Sequence, residues 1–251
     1  ITTRLVGSEM CIRDSYEHEW LHGISSSFEL RGRHISSNRY VPMILPDGRS
    51  LHGINDASIR IGLRLSKDET IVRMPFEVRH MGSKYPIFSF DFTGAKRGVL
   101  PASYDYLRLE GRMQYRLNLP PIGYSQLMLE GGKIFGKVPY LLLKLHEGNG
   151  TYFYDRYAFS CMNFYEFSSD AWISFFYEHH FNGFLLGRVP LLKKLNWREV
   201  FVFKGVYGTL SARNDGSLPN TKAVMLFPVG MSSVEHPYLC LLYTSPSPRD
   251  A

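Results

Sequence analysis

Hydrophobic and polar positions alternate along most of this chain with a period of two. The clearest run is Tyr104 to Leu119, YDYLRLEGRMQYRLNL. Leu107, Leu109, Gly111, Met113, Tyr115 and Leu117 fall on one side, and Tyr106, Arg108, Glu110, Arg112, Gln114, Arg116 and Asn118 on the other. A helix would spread those charges around its circumference. A strand collects them on one face, because successive side chains point to opposite sides. The run is therefore predicted to be a strand with one apolar and one charged face. Ala57 to Ser66 repeats the theme, with Ile59, Ile61, Leu63 and Leu65 against Ser58, Arg60, Gly62 and Arg64. Gly23 to Arg33 is a weaker strand. Ile87 to Thr93 is a short one, with Phe88, Phe90 and Phe92 on one face. Ile122 to Phe135 carries Gln126, Glu130 and Gly132 on its polar side. Pro120 and Pro121 cannot donate to a ladder, so they mark a tight hairpin before it.

Further on, Tyr157–Phe167 and Trp172–Leu186 are predicted to pair as a hairpin across Ser168-Ser169-Asp170. Ser174, Glu178, His180 and Asn182 then share one face. Ile173, Phe175, Tyr177 and Phe181 share the other, which His179 joins. Arg198 to Ala212 forms one more strand before a polar turn at Asn214-Asp215-Gly216. Pro139–Leu145 (PYLLLKL) and Val189–Leu195 (VPLLKKL) read as short amphipathic turns of helix. Each has a proline near its start, where a missing N–H is tolerated. Their leucines and lysines suit either a membrane interface or a plug inside the barrel.

A face bearing three arginines, a glutamate, a glutamine and an asparagine suits a wet lumen. The aromatic share is 14%, with 16 Tyr and 17 Phe, which fits the aromatic girdles of membrane barrels and also large β-sandwiches. No run of 18 apolar residues exists, which argues against a transmembrane helix. A barrel strand needs only about 9–11 residues of alternating character. The predicted fold class is all-β: an antiparallel up-and-down transmembrane β-barrel. The alternative is a soluble ligand-binding domain of lipocalin-like type, which would turn its apolar residues inward. The direction taken by Ile59, Ile61, Leu63, Leu107 and Leu109 separates the two.

The two ends change the domain count. Leu5–Ser15 reads LVGSEMCIRDS, and Cys240–Asp250 reads CLLYTSPSPRD. With one choice of codons, the reverse complement of the DNA for the second encodes the first in another frame. This inverted repeat resembles the adapter of transposase-based sequencing libraries. We read residues 1–15 and 240–251 as translated adapter, and residues 16–239 as a partial barrel. The ends carry Arg4, Arg13 and Arg249 against Glu9, Asp14 and Asp250, so the net charge of +6 stands without them. That charge is spread out, unlike the clustered patch of a nucleic-acid binder. Without Cys11 and Cys240, Cys161 is alone, read as a small apolar filler with no disulfide framework.

Few residues suggest chemistry. Neighbours on a strand point apart, so His179 and His180 cannot share one metal ion. His180 could share one with Glu178 and Asn182, but no second ligand pair is visible, and a hydrogen-bonded lumen cluster is the simpler reading. Glu130-Gly131-Gly132-Lys133 lacks the spacing of a phosphate loop, so its glycines are read as backbone relief within a barrel wall. Glu166 and Glu178 have no evident cleft. We expect no catalytic residue, cofactor or metal. The candidate site is a polar lumen cluster of Arg108, Glu110, Arg112, Arg116, Glu130, Glu178, His180 and Asn182.

At EGGKIFGKVPY, YAFSCMNFYEFSSD, EHHFNGFLLGRVPLLKKLNWREV and FKGVYGTLS, the chain resembles a specific family. It is similar to the C-terminal barrel of Bacteroidetes outer-membrane proteins of unknown function. The resemblance is densest from about Tyr104 to Pro237. Members begin with a carboxypeptidase-regulatory-like β-sandwich, a binding or folding module and not a peptidase. The resemblance implies a bacterial outer-membrane location, contact with its lipid, and a barrel distantly like those of assembly factors. It implies an N-terminal module and closing C-terminal strands elsewhere in the same protein, and supplies no catalytic residues. The chain is then an open arc, from Gly23 to Ala212 plus an interrupted next strand. Its function would be non-enzymatic, in transport, assembly or surface interaction, with the cargo unassigned.

Overall fold

A computed structural model describes residues 9–244, except 22, 39–40, 75–76, 81, 100, 149–155, 160, 164, 185–187, 189–198, 218–221 and 235. Its strands are β1 (Glu9–Leu21), β2 (Ile24–Ser36), β3 (Gly53–Leu65), β4 (Ile71–Met74), β5 (Glu77–His80), β6 (Ile87–Ala95) and β7 (Tyr106–Leu119). They continue as β8 (Gly123–Gly136), β9 (Lys144–Leu145), β10 (Phe167–Ser169), β11 (Ala171–His180), β12 (Val200–Thr209), β13 (Ser232–Ser233) and β14 (Tyr238–Thr244). Nine of them form one sheet in the order β1-β2-β3-β6-β7-β8-β11-β12-β14. Every pairing in that sheet is antiparallel. The sheet does not close, since β1 and β14 stand at its two edges. Helix is nearly absent among the described residues. Tyr140–Leu142 makes one 3₁₀ turn.

Period-two alternation decides which side chain goes where, and the faces are those the sequence predicts. On β7, Arg112 lies opposite Glu130 of β8 and Arg116 opposite Gln126, all on one face. The other face carries Ile61 of β3, Phe92 of β6 and Ile173 of β11, which remain 53%, 48% and 48% exposed. Leu63, Phe88, Phe90, Leu107 and Tyr207 are exposed beside them. The charged face is instead the covered one. It is called the inner face below.

The connections 37–52, 96–105, 137–170 and 210–237 all leave from the same end of the sheet and knit together there. Leu226 N–H donates to Ile44 C=O at 2.8 Å, and Tyr140 hydroxyl donates to Pro42 C=O at 2.9 Å. Asn214 Oδ1 accepts from Val138 N–H at 3.1 Å, and β10 joins β9 and β13 in a small sheet. These segments share the main apolar core with the strand ends: Met43, Val138, Tyr140, Leu142 and Met225 meet Ile35, Ile54, Ile134 and Trp172. The opposite end carries two tight turns, at Gly23 and at Pro120–Gly123, where the +118° φ of Gly123 suits a residue without Cβ. Connections 66–86 and 181–199 complete that end.

Three expectations need correction. Tyr157–Phe167 does not pair with the following strand. β11 already has β8 on one side and β12 on the other, so no ladder edge is free. Tyr157 and Phe159 of the stretch pack on the inner face instead, with Phe159 buried against Met128, Phe176 and Val206. The predicted strand Trp172–Leu186 ends early, because Asn182 and Gly183 turn the chain at φ values of 51° and 78°. Asn182 is consequently exposed in that turn, off the polar face. Cys161 is exposed, its Sγ 2.8 Å from that of Cys240, and does not fill a core.

Pro139–Leu145 lies over the inner face, with Tyr140, Leu142 and Leu143 buried. The segment thus packs on the charged face and not on the apolar one. Val189–Leu195 lies outside the described residues. Residues 9–15 and 240–244 extend β1 and β14 at the sheet edges. A ladder is made of main-chain groups, so an open edge accepts strands of many sequences.

Candidate functional site

The inner face carries ion pairs both along and between strands. Arg31 holds Glu29 at 2.6 Å, Arg33 holds Asp56 at 2.6 Å, and Arg60 holds Asp91 at 2.8 Å. Arg108 and Glu110, both predicted members of the cluster, pair along β7 at 2.7 Å. Arg112 reaches Glu130 at 2.8 Å, and the other oxygen of Glu130 takes the Lys144 ammonium at 2.6 Å. Glu130 thereby links the wall to the plug segment. A cavity of about 500 Å³ lies over this group, between Arg60, Arg108, Arg112 and the 141–147 segment.

Trp172 completes this end of the site. Gly132 stands beside it on β8, and a Cβ there would lie 2.6 Å from the indole and 2.7 Å from Leu109 C=O. The glycine therefore lets the ring lie flat on the wall. The cations of Arg108 and Lys144 then sit 5.2 and 5.6 Å from its centroid. The glycines of EGGK serve as backbone relief, as their spacing suggests.

Towards the opposite end lies a second group. Glu178 accepts from Arg156 at 2.9 Å and bonds His180 Nε2 at 2.6 Å. The His180 ring stacks on Tyr124 with centroids 4.4 Å apart. Arg116 lies over the other ring system of that pair, 4.4 Å from the Tyr124 centroid. A cavity of about 810 Å³ opens here, lined by Arg116, Asn118, Gln126, Arg156 and Glu178. The structure thus divides the predicted cluster. Arg108, Glu110, Arg112 and Glu130 stand together, Arg116, Glu178 and His180 form a separate group, and Asn182 belongs to neither.

Two serine–histidine contacts occur. Ser125 Oγ and His179 Nδ1 are 2.7 Å apart on the outer face, with Tyr177 hydroxyl 3.1 Å from the same oxygen. Both residues are buried, and the Nε2 of His179 meets no partner. Ser169 Oγ and His146 Nε2 are 3.0 Å apart under the plug. Burial, aided by the Lys144 ammonium, pushes the His146 imidazole down to about 4, so it is neutral at physiological pH. Among the described residues, no group of three or more His, Cys, Asp or Glu is placed to hold a metal ion.

Residues 23–212 match the C-terminal domain of a family of unknown function, DUF5686. The chain belongs to that family. No curated protein matches it. The matched range takes in β2 to β12, so every ion pair described above lies within the DUF5686 domain.

Sequence reasoning missed several working residues of this DUF5686 domain: Trp172, Lys144, Arg156 and Tyr124. Tyr124 was legible, since it shares the period-two face of Gln126 and Glu130. Trp172 lies on the face of Ser174 and Glu178, and only the neighbouring strand's Gly132 reveals why it lies flat. Lys144 and Arg156 sit on connections that no periodicity places.

Proposed function

We propose that this DUF5686 domain forms part of the wall of a non-enzymatic bacterial outer-membrane β-barrel, acting in transport, assembly or surface interaction. The observation that carries this reading is the inverted pattern of its sheet. Large apolar side chains are exposed along one face of strands β2 to β12, and charged, hydrogen-bonded side chains line the other. In water such a surface far exceeds the apolar patch a monomer tolerates. Against hydrocarbon it is the expected surface, and antiparallel pairing satisfies the main chain between neighbours. Strands of ten residues or more suffice to cross a bilayer when tilted, and β11 and β12 have ten each.

A lipocalin-like carrier would need the opposite orientation, with Ile61 and Leu107 inside and Arg108 and Arg112 in bulk water. The partners proposed are outer-membrane lipid and, within the same protein, an N-terminal β-sandwich module and further strands that close the wall. A Bacteroidetes source follows from the sequence resemblance. Nucleic acid is not proposed, because the cations are dispersed along the inner face and mostly matched by carboxylates.

The test is refolding of the chain into phosphatidylcholine vesicles, followed by protease digestion and gel mobility with and without boiling. Protection of the Tyr106–Gly136 hairpin only in vesicles, with a heat-dependent mobility shift, is the expected result. A soluble monomer that melts cooperatively without lipid or detergent would refute the reading.

A further inference from the structure

On the inner face of β2, β3 and β7, Arg31, Arg33, Arg60, Arg64, Arg108 and Arg112 each meet a carboxylate at 2.6–2.8 Å. Arg116 does not. Among the described residues its cross-strand neighbour is the neutral Gln126, and no carboxylate stands within ion-pair distance. Glu178, which lines the same cavity, is already engaged by Arg156 and His180.

Arg116 is nonetheless held in place. Its guanidinium lies 4.4 Å from the Tyr124 centroid, and Tyr124 stacks on His180 at an interplanar angle of 12°. Glu178 fixes His180 in turn at 2.6 Å. Stacking occupies the flat face of a guanidinium and leaves its N–H edge free. That edge is the part that matches a carboxylate or phosphate with two parallel hydrogen bonds. Arg116 lines the cavity of about 810 Å³ at the end opposite the apolar core. Among the described residues, the charged side chains around this cavity are Lys84, Arg116 and Arg156 against Asp68 and Glu178, an excess of one positive charge. Asn118 adds an amide two residues along on the same face.

We propose that Arg116 anchors a site for an oxyanion, a phosphate or carboxylate group on a solute that enters this vestibule. The proposal rests on reading the inner face as a water-filled lumen. A cation held in place at the rim of a concave, net-positive cavity raises the local concentration of anions relative to bulk water.

The test uses the whole chain, ¹⁵N-labelled at arginine and folded in detergent micelles. It is titrated separately with inorganic phosphate and with acetate, at constant ionic strength made up with chloride. One arginine Nε–H resonance should shift saturably. R116Q should lose that resonance and at least tenfold in apparent affinity, R116K should fall between, and Y124L should weaken binding severalfold. Tighter phosphate than acetate binding assigns a phosphate-bearing solute, and the reverse order a carboxylate. No saturable shift beyond chloride overturns the proposal, as does a shift that survives R116Q. Heat-dependent gel mobility confirms that each variant is folded. Because the titration is done in micelles, its failure leaves the vesicle insertion test untouched, and failure of insertion is read separately.

Discussion

Ile61→Arg puts the membrane reading at risk most directly. Ile61 lies on the outer face of β3, between Phe28 of β2 and Phe92 of β6. Ile59 and Leu63 continue the apolar belt along its own strand, so the site is well inside the belt. The side chain is 53% exposed. If that surface faces water, an exposed replacement should change stability by no more than about 0.5 kcal/mol. If it faces hydrocarbon, arginine near the bilayer midplane costs roughly 2–4 kcal/mol. The variant also forfeits the lipid contact of the exposed half of the isoleucine, about 1 kcal/mol on the usual scale for burying such a side chain. The expected loss is therefore about 3 kcal/mol or more, on the order of a hundredfold in the folding constant. The assay is equilibrium urea unfolding of the chain in thin phosphatidylcholine vesicles, followed by tryptophan fluorescence. Gln114→Arg, on the inner face of β7, is the control, with an expected change below about 1 kcal/mol because it points into the lumen. Equal losses for the two variants, or a loss within 0.5 kcal/mol for Ile61→Arg, would refute the argument.

Gly132→Ala should destabilise the fold by about 1–3 kcal/mol, since overpacking forces Trp172 or the β7 main chain to move. Gly111→Ala, whose added carbon would meet the Phe90 ring at 3.7 Å, should be close to neutral in the same unfolding assay. The folded-state pKa of His146 lies near 4, below its ordinary 6.5, so the unfolded chain binds the extra proton as pH falls. Stability should be full above pH 6.5 and decline between 6.5 and 4, by about 2 kcal/mol at pH 5. His146→Gln should lack that component of the pH profile, and identical profiles would sink the assignment. A fluorophosphonate probe should leave Ser125 unlabelled, because the hydroxyl is buried and His179 has no carboxylate to orient it. Labelling located by mass spectrometry at Ser125 would refute this and point to a membrane-embedded hydrolase instead.

The sheet was legible wherever one strand determined its own two faces. Arg108, Arg112 and Arg116 had to share a side with one another and oppose Leu107 and Leu109, whatever the neighbours were. Pairing was less legible, because it depends on competition among strands. Tyr157–Phe167 looked like a partner for Trp172 onwards, yet β8 and β12 take both edges of β11. The plug was ambiguous for a similar reason. PYLLLKL is amphipathic against either lipid or a lumen wall, and the approach of Lys144 to Glu130 shows only that it packs on the charged face of the sheet. Of the candidate site, the residues were mostly named but their grouping was not. Arg116 joins His180 only because Tyr124, on a third position, lies between them.

The inner face is not uniform, and its change in character bears on how the wall is used. At one end Ile35, Ile54, Ile134 and Trp172 bury themselves under the converging connections, as in a soluble domain. Beyond them the same face becomes a row of arginines and carboxylates. In a dry core such pairs would gain little, because desolvation offsets most of their attraction. Here the arginines keep contact with solvent, with Arg112 49% and Arg31 32% exposed at the side chain while their acids are nearly covered. That arrangement suits a wet compartment: the carboxylates are shielded by the guanidiniums, and the guanidiniums face the water. Under the proposed function the sheet would line a vestibule closed by an apolar core at one end, and a solute arriving at the other would meet Arg116 and its stacked rings before the paired charges beyond. Under that reading, binding at the open end is the work such a face would do, with Lys144 holding the 137–147 segment to Glu130.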